Sequence, residues 1–267
     1  MRWRSAVRAM SGGCIAPGAR SLEGLAWLAR VGASPQQPLA LVMGWNHSTA
    51  YDHVRRLIDA GLVRRVPMTR GDGSLLIVTA AGARVAGYRA SWAPRSLGPA
   101  TWAHAWGCAW TSAWLQLRGQ TRWAADPDMR WWSEREILHG DGWRHRFSYE
   151  DRRGTARVTH RPDLAVLIAG RPVPVEVELQ RKPRARLLGI LRMYDELSAG
   201  TQPTYGGVIY VAANKYIAGA LHDVGAEAGL DALRFSVRAL DDVLDQTHAA
   251  SQEFAERRRR VGEAAGR

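Results

Sequence analysis

The 267-residue chain is poor in cysteine, in lysine and in long apolar runs. With only Cys14 and Cys108, it cannot build a disulfide framework or a zinc site with four thiolate ligands. Arg, Gly or Pro interrupts every apolar run well short of a membrane span, so we expect no transmembrane helix and no membrane partner. The stretch from Ser11 to Ala16 is too short and too rich in glycine for the core of a signal peptide. Together these absences predict a cytoplasmic protein.

What the chain has in excess is arginine. Its 37 basic residues outnumber 25 acidic ones, which gives a formal net charge of +12, and only Lys182 and Lys215 are lysines. The excess is uneven, since residues 1–100 carry 13 arginines against four acidic side chains and so hold +9 of that total. Arginine that neutralises phosphates releases condensed counterions, so a basic first segment favours double-stranded DNA as partner. A codon composition that favours arginine over lysine would raise the count without a binding surface.

The first third of the chain has the pattern of three helices followed by a basic hairpin. Apolar residues at three- and four-residue spacing predict a helix from Ser21 to Gly32, a short one over 38–43 and a third from Ser48 or Thr49 to about Ala60. Two strands over 62–67 and 75–79 flank a glycine-rich turn, and a short helix follows over 80–87.

The stretch LVMGWNHSTAYDHVRRLIDAGLVRR, followed by VTAAG, resembles the winged helix-turn-helix family over residues 21–88. The resemblance implies that the third helix enters the major groove and that the hairpin touches the phosphate backbone. It implies base contacts from Asn46, His47, Ser48, Thr49, Tyr51 and Arg55. It implies phosphate contacts from Arg56, Arg64, Arg65 and Arg70. Winged helices also dock proteins, so contacts with replication or conjugation proteins stay open.

Four tryptophans, which are Trp102, Trp106, Trp110 and Trp114, recur at a strict four-residue spacing. Such a repeat forms one stripe on a helix and indicates core packing, with stacking on single-stranded nucleic acid as the alternative. The pattern of turns and charge predicts a flexible leader over 1–19, a DNA-binding domain over 20–89, a linker over 90–100, a second domain over 101–248, and a helix end with a basic tail over 249–267.

The most informative stretch, RPDLAVLIAGRPVPVEVELQRK, begins at Arg161. Its alternation predicts two strands, with Glu176 and Glu178 on one face of the second. A two-residue Gly-Arg turn would set Asp163 opposite Glu178 and diagonal to Glu176, which gathers three carboxylates at one end of the hairpin. Like charges so close favour a hard divalent cation, Mg²⁺ or Mn²⁺, among them. A solvated hairpin face with screened charges is the alternative.

An Asp after Pro at the head of one strand, with Glu-x-Glu on the next, resembles the PD-(D/E)XK nuclease-like fold. More narrowly, WSEREIL, HRPDLAVL and VEVELQRK…RLLGILRMYDEL resemble the actinobacterial replication-relaxation proteins over about residues 20–215. The resemblance implies an α+β fold, in which an N-terminal winged helix-turn-helix precedes a restriction-endonuclease-like α/β domain with a mixed central sheet. It also implies a Mg²⁺- or Mn²⁺-dependent endonuclease of plasmid or mobile-element replication or transfer.

By the same resemblance, Asp163, Glu176 and Glu134 match the metal-binding acids, and the first two are also catalytic. Glu178 stands where many nucleases of this fold carry lysine. It would hold a metal or position water, or Lys182 would supply the missing ammonium from four residues on, so both are candidate catalytic residues. A non-catalytic DNA-binding regulator or replication accessory protein is the alternative. A homodimer on palindromic DNA stays open, although no heptad pattern supports one.

Overall fold

The computed structural model describes residues 17–68, 73–94, 97–121, 130–140, 147–150 and 157–265. Its contacts divide into two units. The first unit holds the described residues up to Ala113 together with those from Thr247 onward, and the second unit holds Trp114–Gln246. No helix in the described part of the chain is long and apolar enough to span a bilayer. The predicted leader lies almost entirely outside the described residues.

The first unit begins with three helices and a small antiparallel sheet. Its elements are α1 (Ala19–Val31), β1 (Ala33–Pro35), α2 (Gln36–Met43), α3 (His47–Asp59), β2 (Val63–Pro67), β3 (Ser74–Val78), α4 (Ala80–Val85) and the first part of α5 (Pro99–Thr121). The strand order is β1-β3-β2, with Ala33 paired to Ile77 and Val63 paired to Val78. The predicted helices and hairpin therefore form, and strand β1 was not predicted, because three residues are too few for a periodic signal.

The helices and strands of the first unit bury apolar side chains. Leu25, Leu39, Leu57 and Leu75 are at most 1% exposed. Helix α4 follows β3 closely, and a Cβ on Gly82 would lie 2.0 Å from the carbonyl oxygen of Leu62, so only glycine fits this crossing.

The second unit is built on a five-stranded mixed sheet with helices. Its elements are the end of α5, β4 (Trp131–Ser133), α6 (Glu134–His139), β5 (Phe147–Glu150), β6 (Arg157–His160), β7 (Leu164–Ile168), β8 (Arg171–Glu178), α7 (Arg184–Ser198), β9 (Val208–Ala212), α8 (Lys215–Ala228), β10 (Phe235–Ala239) and the start of α9 (Leu240–Ala265). The order is β10-β9-β8-β7-β4, and β5 pairs with β6 in a separate ribbon. Strand β9 is parallel to both of its neighbours, β8 and β10, while β7 is antiparallel to both of its neighbours, β8 and β4, so the expected mixed sheet and α+β composition are confirmed.

One face of this sheet carries the main apolar cluster of the second unit. Leu191 and Tyr194 of α7 and Leu221 of α8 pack there with Tyr210 of β9. Glu176 pairs in register with Tyr210, so the glutamates of β8 share that covered face.

The tryptophan repeat lies inside the fold, as the core-packing interpretation predicts. Trp110 is 3% exposed in the first unit and Trp114 is 2% exposed in the second, while Trp102 and Trp106 are half-buried. Helix α9 continues to Ala265, through most of the segment predicted as a helix end with a basic tail.

The predicted turn of the β7–β8 hairpin is wrong. The turn residues are Ala169 and Gly170, with φ of 49° and 76°, not Gly170 and Arg171. Leu164 consequently pairs with Val175. The two-residue change keeps every side chain on its predicted face but sets Asp163 opposite Glu176 rather than opposite Glu178.

Candidate functional site

Asp163 is held against strand β8 by a backbone hydrogen bond. It lies one residue before β7, and its Oδ2 accepts from the N–H of Val177 at 2.8 Å. Val177 stands between Glu176 and Glu178 along β8. Asp163 is half-buried, whereas Glu176 and Glu178 are 3% and 5% exposed. The hairpin therefore gathers three acids at its open end, two of them beneath the covering helices, and a solvated hairpin face is wrong for these two glutamates.

Glu176 is the most enclosed of the three acids. Its Oε1 accepts from the Tyr194 hydroxyl at 2.5 Å and lies 2.6 Å from Nε2 of His160. Burial raises the pKa of Glu176, but the charges of His160 and Lys182 and the two hydrogen bonds outweigh burial and lower the pKa below its ordinary value. Burial and the charge of Glu176 raise the pKa of Tyr194, so that hydroxyl keeps its proton and donates.

Glu178 forms an ion pair with Lys182 one turn further along the chain. Burial raises the pKa of Glu178; Lys182 opposes this rise, and repulsion from Glu176 and Asp163 adds to it. The three acids therefore interact electrostatically. The ammonium of Lys182 is thus paired with Glu178, the residue that stands where many nucleases of the resembled fold carry lysine. One of the two interpretations of the sequence gave Lys182 the role of that missing lysine.

Glu134 reaches the same end of the sheet from a different strand. Strand β4 is antiparallel to β7 and pairs Ser133 with Leu164. Glu134 comes one residue after Ser133 and Asp163 one residue before Leu164, so these two acids stand at the same level of the two strands. Ser133 and Glu136 form a reciprocal capping box that fixes the start of α6 at Glu134. Oε1 of Glu134 accepts from the Arg161 guanidinium at 2.7 Å, and both side chains are more than a third exposed.

The four acids are ligands of the type that a hard cation prefers, but their side chains do not form a preassembled coordination shell. Carboxylate oxygens are the ligands that Mg²⁺ and Mn²⁺ prefer, and Mg²⁺ commonly takes one or two of them. Within the described part of the chain, no three of Asp163, Glu134, Glu176 and Glu178 place an oxygen each within 4.8 Å of one another. Asp163 and Glu176 face each other in register and would hold the ion, while Glu134 would first have to leave Arg161.

Neither His160 nor Tyr194 was among the candidate site residues predicted from the sequence. His160 stands at the end of β6, three residues before Asp163, and Tyr194 comes from a helix 18 residues beyond Glu176. A lone histidine before a Pro-Asp pair gives little signal, because only the tertiary fold brings it to a carboxylate.

A second predicted site, the basic surface of the first unit, centres on α3. The N-cap of this helix is Asn46, whose Oδ1 accepts from the N–H of Thr49 at 2.8 Å and from the Ser48 hydroxyl at 2.9 Å. Tyr51 is 48% exposed, and the predicted contact residues His47, Arg55 and Arg56 are also exposed. Most of the predicted residues of α3 therefore lie at the surface, although capping occupies the amide oxygen of Asn46.

The hairpin residues of this surface are described in part. Arg64 and Arg65 of β2 are exposed, and Arg65 donates to Oε1 of Gln36 at 3.1 Å. Arg70 lies outside the described residues. The ring of His53, which belongs to α3, stacks on the ring of Trp45 with centroids 4.3 Å apart.

Comparison with known proteins adds little to this geometry. No family model matches the chain, and no curated protein matches it. Among solved structures, the chain is similar to the protein VC1899 from Vibrio cholerae, with 12% identity and a TM-score of 0.39. The match covers 89% of this chain and 57% of that one, so the chain spans little more than half of its length. We draw neither fold nor function from a likeness at this level.

Proposed function

We propose that the chain is a DNA-binding protein whose second unit carries a divalent-metal-dependent site that nicks or cleaves the phosphodiester backbone. The observation that carries this proposal is the position of Asp163, whose carboxylate accepts a hydrogen bond from the backbone N–H of Val177 and which stands opposite the buried Glu176. Two acids fixed across neighbouring strands, with a third acid and a lysine next to them, are the residue types that such chemistry uses. The resemblance in sequence suggests plasmid or mobile-element replication or transfer as the setting.

The first unit would select the DNA. Three helices followed by a two-stranded hairpin, with arginines exposed on α3 and β2, support a winged helix-turn-helix reading. Arg55 and Arg56 form no ion pair with any described carboxylate, so their charges are available to phosphates.

Each acid of the second unit has a distinct role. A bound Mg²⁺ or Mn²⁺ would activate water and stabilise charge developing on the phosphate. Glu176, with its lowered pKa, stays ionised at neutral pH and would hold the ion together with Asp163. Glu178, whose pKa is raised, is the better proton acceptor of the two glutamates, and Lys182 keeps it oriented.

A second candidate function is supported by the completeness of the hydrogen bonds. Glu176 has Tyr194 and His160 as partners, Glu178 has Lys182, and Glu134 has Arg161. A buried polar network that is already satisfied can serve structure alone. The chain would then be a non-catalytic DNA-binding regulator or replication accessory protein.

Nicking of supercoiled plasmid separates the two candidates. We expect the full chain to convert supercoiled DNA to open circles with Mn²⁺ or Mg²⁺. Asp163→Asn and Glu176→Gln, which preserve side-chain volume, should each slow this by about a hundredfold or more. Asp223→Asn, at an exposed acid on α8, is the matched control and should cut at the normal rate. Plasmid binding without nicking at any concentration of either metal would establish the regulator instead.

A further inference from the structure

A cavity of about 240 Å³ lies on the sheet face opposite the carboxylates of the second unit. Val173 and Ile209 line it, and Ile209 pairs with Val175, which shares the face of Val173. Glu176 lies between Val175 and Val177 along β8 and therefore points to the other face. The cavity is thus separate from the candidate site.

The floor of this cavity is apolar and incompletely covered. Val166 and Ile168 of β7 continue it next to Val173 and Ile209. Both isoleucines are only half-buried, although the rest of this sheet is largely enclosed. An apolar surface left partly open beside a recess favours burial of an apolar ligand surface.

The rim is positively charged. Arg118, Arg234 and Arg238 line the cavity, and none of its described lining residues is acidic. Arg234 is anchored, because its guanidinium donates to Asp195 at 2.6 Å and to Asp231 at 3.0 Å.

The other two arginines have different surroundings. The guanidinium of Arg118 lies over the Trp114 ring, 5.3 Å from its centroid. Arg238 projects from the edge strand β10, is exposed, and forms no ion pair with a described carboxylate. The cavity therefore combines an apolar floor with the exposed guanidinium of Arg238, whose charge no described lining residue neutralises.

The volume sets the size of the ligand. Sites for drug-sized molecules occupy about 300–1,000 Å³, and one liquid water takes about 30 Å³, so this cavity has room for about eight waters. That suits one planar ring and one anionic group. Arginine presents a planar fork that fits phosphate.

We propose that this cavity binds a phosphorylated nucleoside, with its ring on the Ile168 and Ile209 floor and its phosphate on Arg238. The same chemistry is offered by a free mononucleotide and by the phosphorylated end of a DNA strand. Because the cavity and the carboxylates lie on opposite faces, this assignment stands or falls independently of the proposed nuclease activity.

Calorimetric titration of the full chain with thymidine 5′-monophosphate, in buffer with chelator and no divalent ion, tests the assignment. The monophosphate should bind at least about tenfold more tightly than thymidine or inorganic phosphate alone, because each lacks one half of the recognition. Arg238→Gln should weaken binding by about tenfold or more. Arg192→Gln, at an exposed arginine of α7, is the matched control and should leave binding unchanged.

A second variant tests the shape of the site. Ser236→Phe places a ring inside the cavity without removing charge, and it should abolish binding; if it does not fold, the exposed Arg238→Gln decides. Asp163→Asn should bind the monophosphate normally. A 5′-phosphorylated oligonucleotide that binds where the free monophosphate does not, and that loses binding in both cavity variants, would assign the strand end as the ligand. Binding no tighter than that of phosphate, or binding retained in both variants, would overturn the assignment.

Discussion

Helix α3 of the first unit and strand β8 of the second both concentrate charge, but α3 exposes its charged side chains to solvent and β8 buries them. On α3, Arg55 and Arg56 stand in solvent. On β8, Glu176 and Glu178 are 3% and 5% exposed. Each buried acid has partners of opposite charge or hydrogen-bond donors, whereas the exposed arginines need none.

The difference follows from the cost of removing a charge from water. That cost is several kcal/mol for a buried ion, so an unpartnered carboxylate on β8 would be unstable or would take up a proton. An exposed guanidinium stays solvated and can exchange water for a phosphate. Substitution of the glutamates on β8 should therefore lower the free energy of unfolding. Substitution of the arginines on α3 should lower the affinity for DNA and leave the free energy of unfolding nearly unchanged.

The largest effect is expected from Glu176→Ala. It leaves the buried Tyr194 hydroxyl and the half-buried His160 without their acceptor, so the free energy of unfolding should fall by about 3–5 kcal/mol. Urea denaturation measures this. Glu134→Ala breaks a pair that is more than a third exposed and should cost only about 0–1 kcal/mol. Equal losses in the two variants would remove the contrast between buried and exposed charge.

Sequence patterns predicted the elements better than the contacts between them. Helix α3 was predicted from Ser48 or Thr49 to about Ala60 and runs from His47 to Asp59, because an amphipathic stripe is a local signal. Strands β1 and β4 have three residues each and give no period.

The hairpin register depended on one unusual residue. Ala169 has a φ of 49°, a conformation that alanine rarely adopts, so a turn centred on Gly170 and Arg171 was the more natural prediction. The partners of Glu176 come from β6 and α7, and no local pattern links those segments to β8. The acids and Lys182 could therefore be predicted from the sequence, but the partners of Glu176 could not.

An intermediate effect, on binding alone, is expected from the double variant Arg55→Ala and Arg56→Ala. Its affinity for duplex DNA should fall by about tenfold to a hundredfold, and the salt dependence of log K should lose a slope of up to about two. Fluorescence anisotropy at several salt concentrations measures both. The free energy of unfolding should change by less than about 0.5 kcal/mol, as for other exposed sites.

Arg84→Ala is the matched control, since Arg84 is an exposed arginine of the same unit on α4. Its DNA affinity should equal that of the unmodified chain. If this variant and the double variant weaken binding equally, the effect reflects total charge and not the surface of α3.

The smallest effect concerns His53, whose ring stacks on Trp45. Burial and the charges of Arg56 and Arg20 lower the pKa of His53 from its ordinary value of 6.5. The unfolded chain therefore takes up this proton before the folded chain does, so stability from neutral His53 is complete above about pH 6.5 and is lost as the pH falls through the lowered pKa. Thermal denaturation from pH 8 to pH 5 should show the unmodified chain losing its advantage over His53→Gln as the pH falls. In Arg56→Ala this loss should be smaller, because one of the charges that lower the pKa is gone. A difference between the chain and His53→Gln that does not vary with pH would mean that the exposed arginines of α3 do not act on the buried side of their own helix.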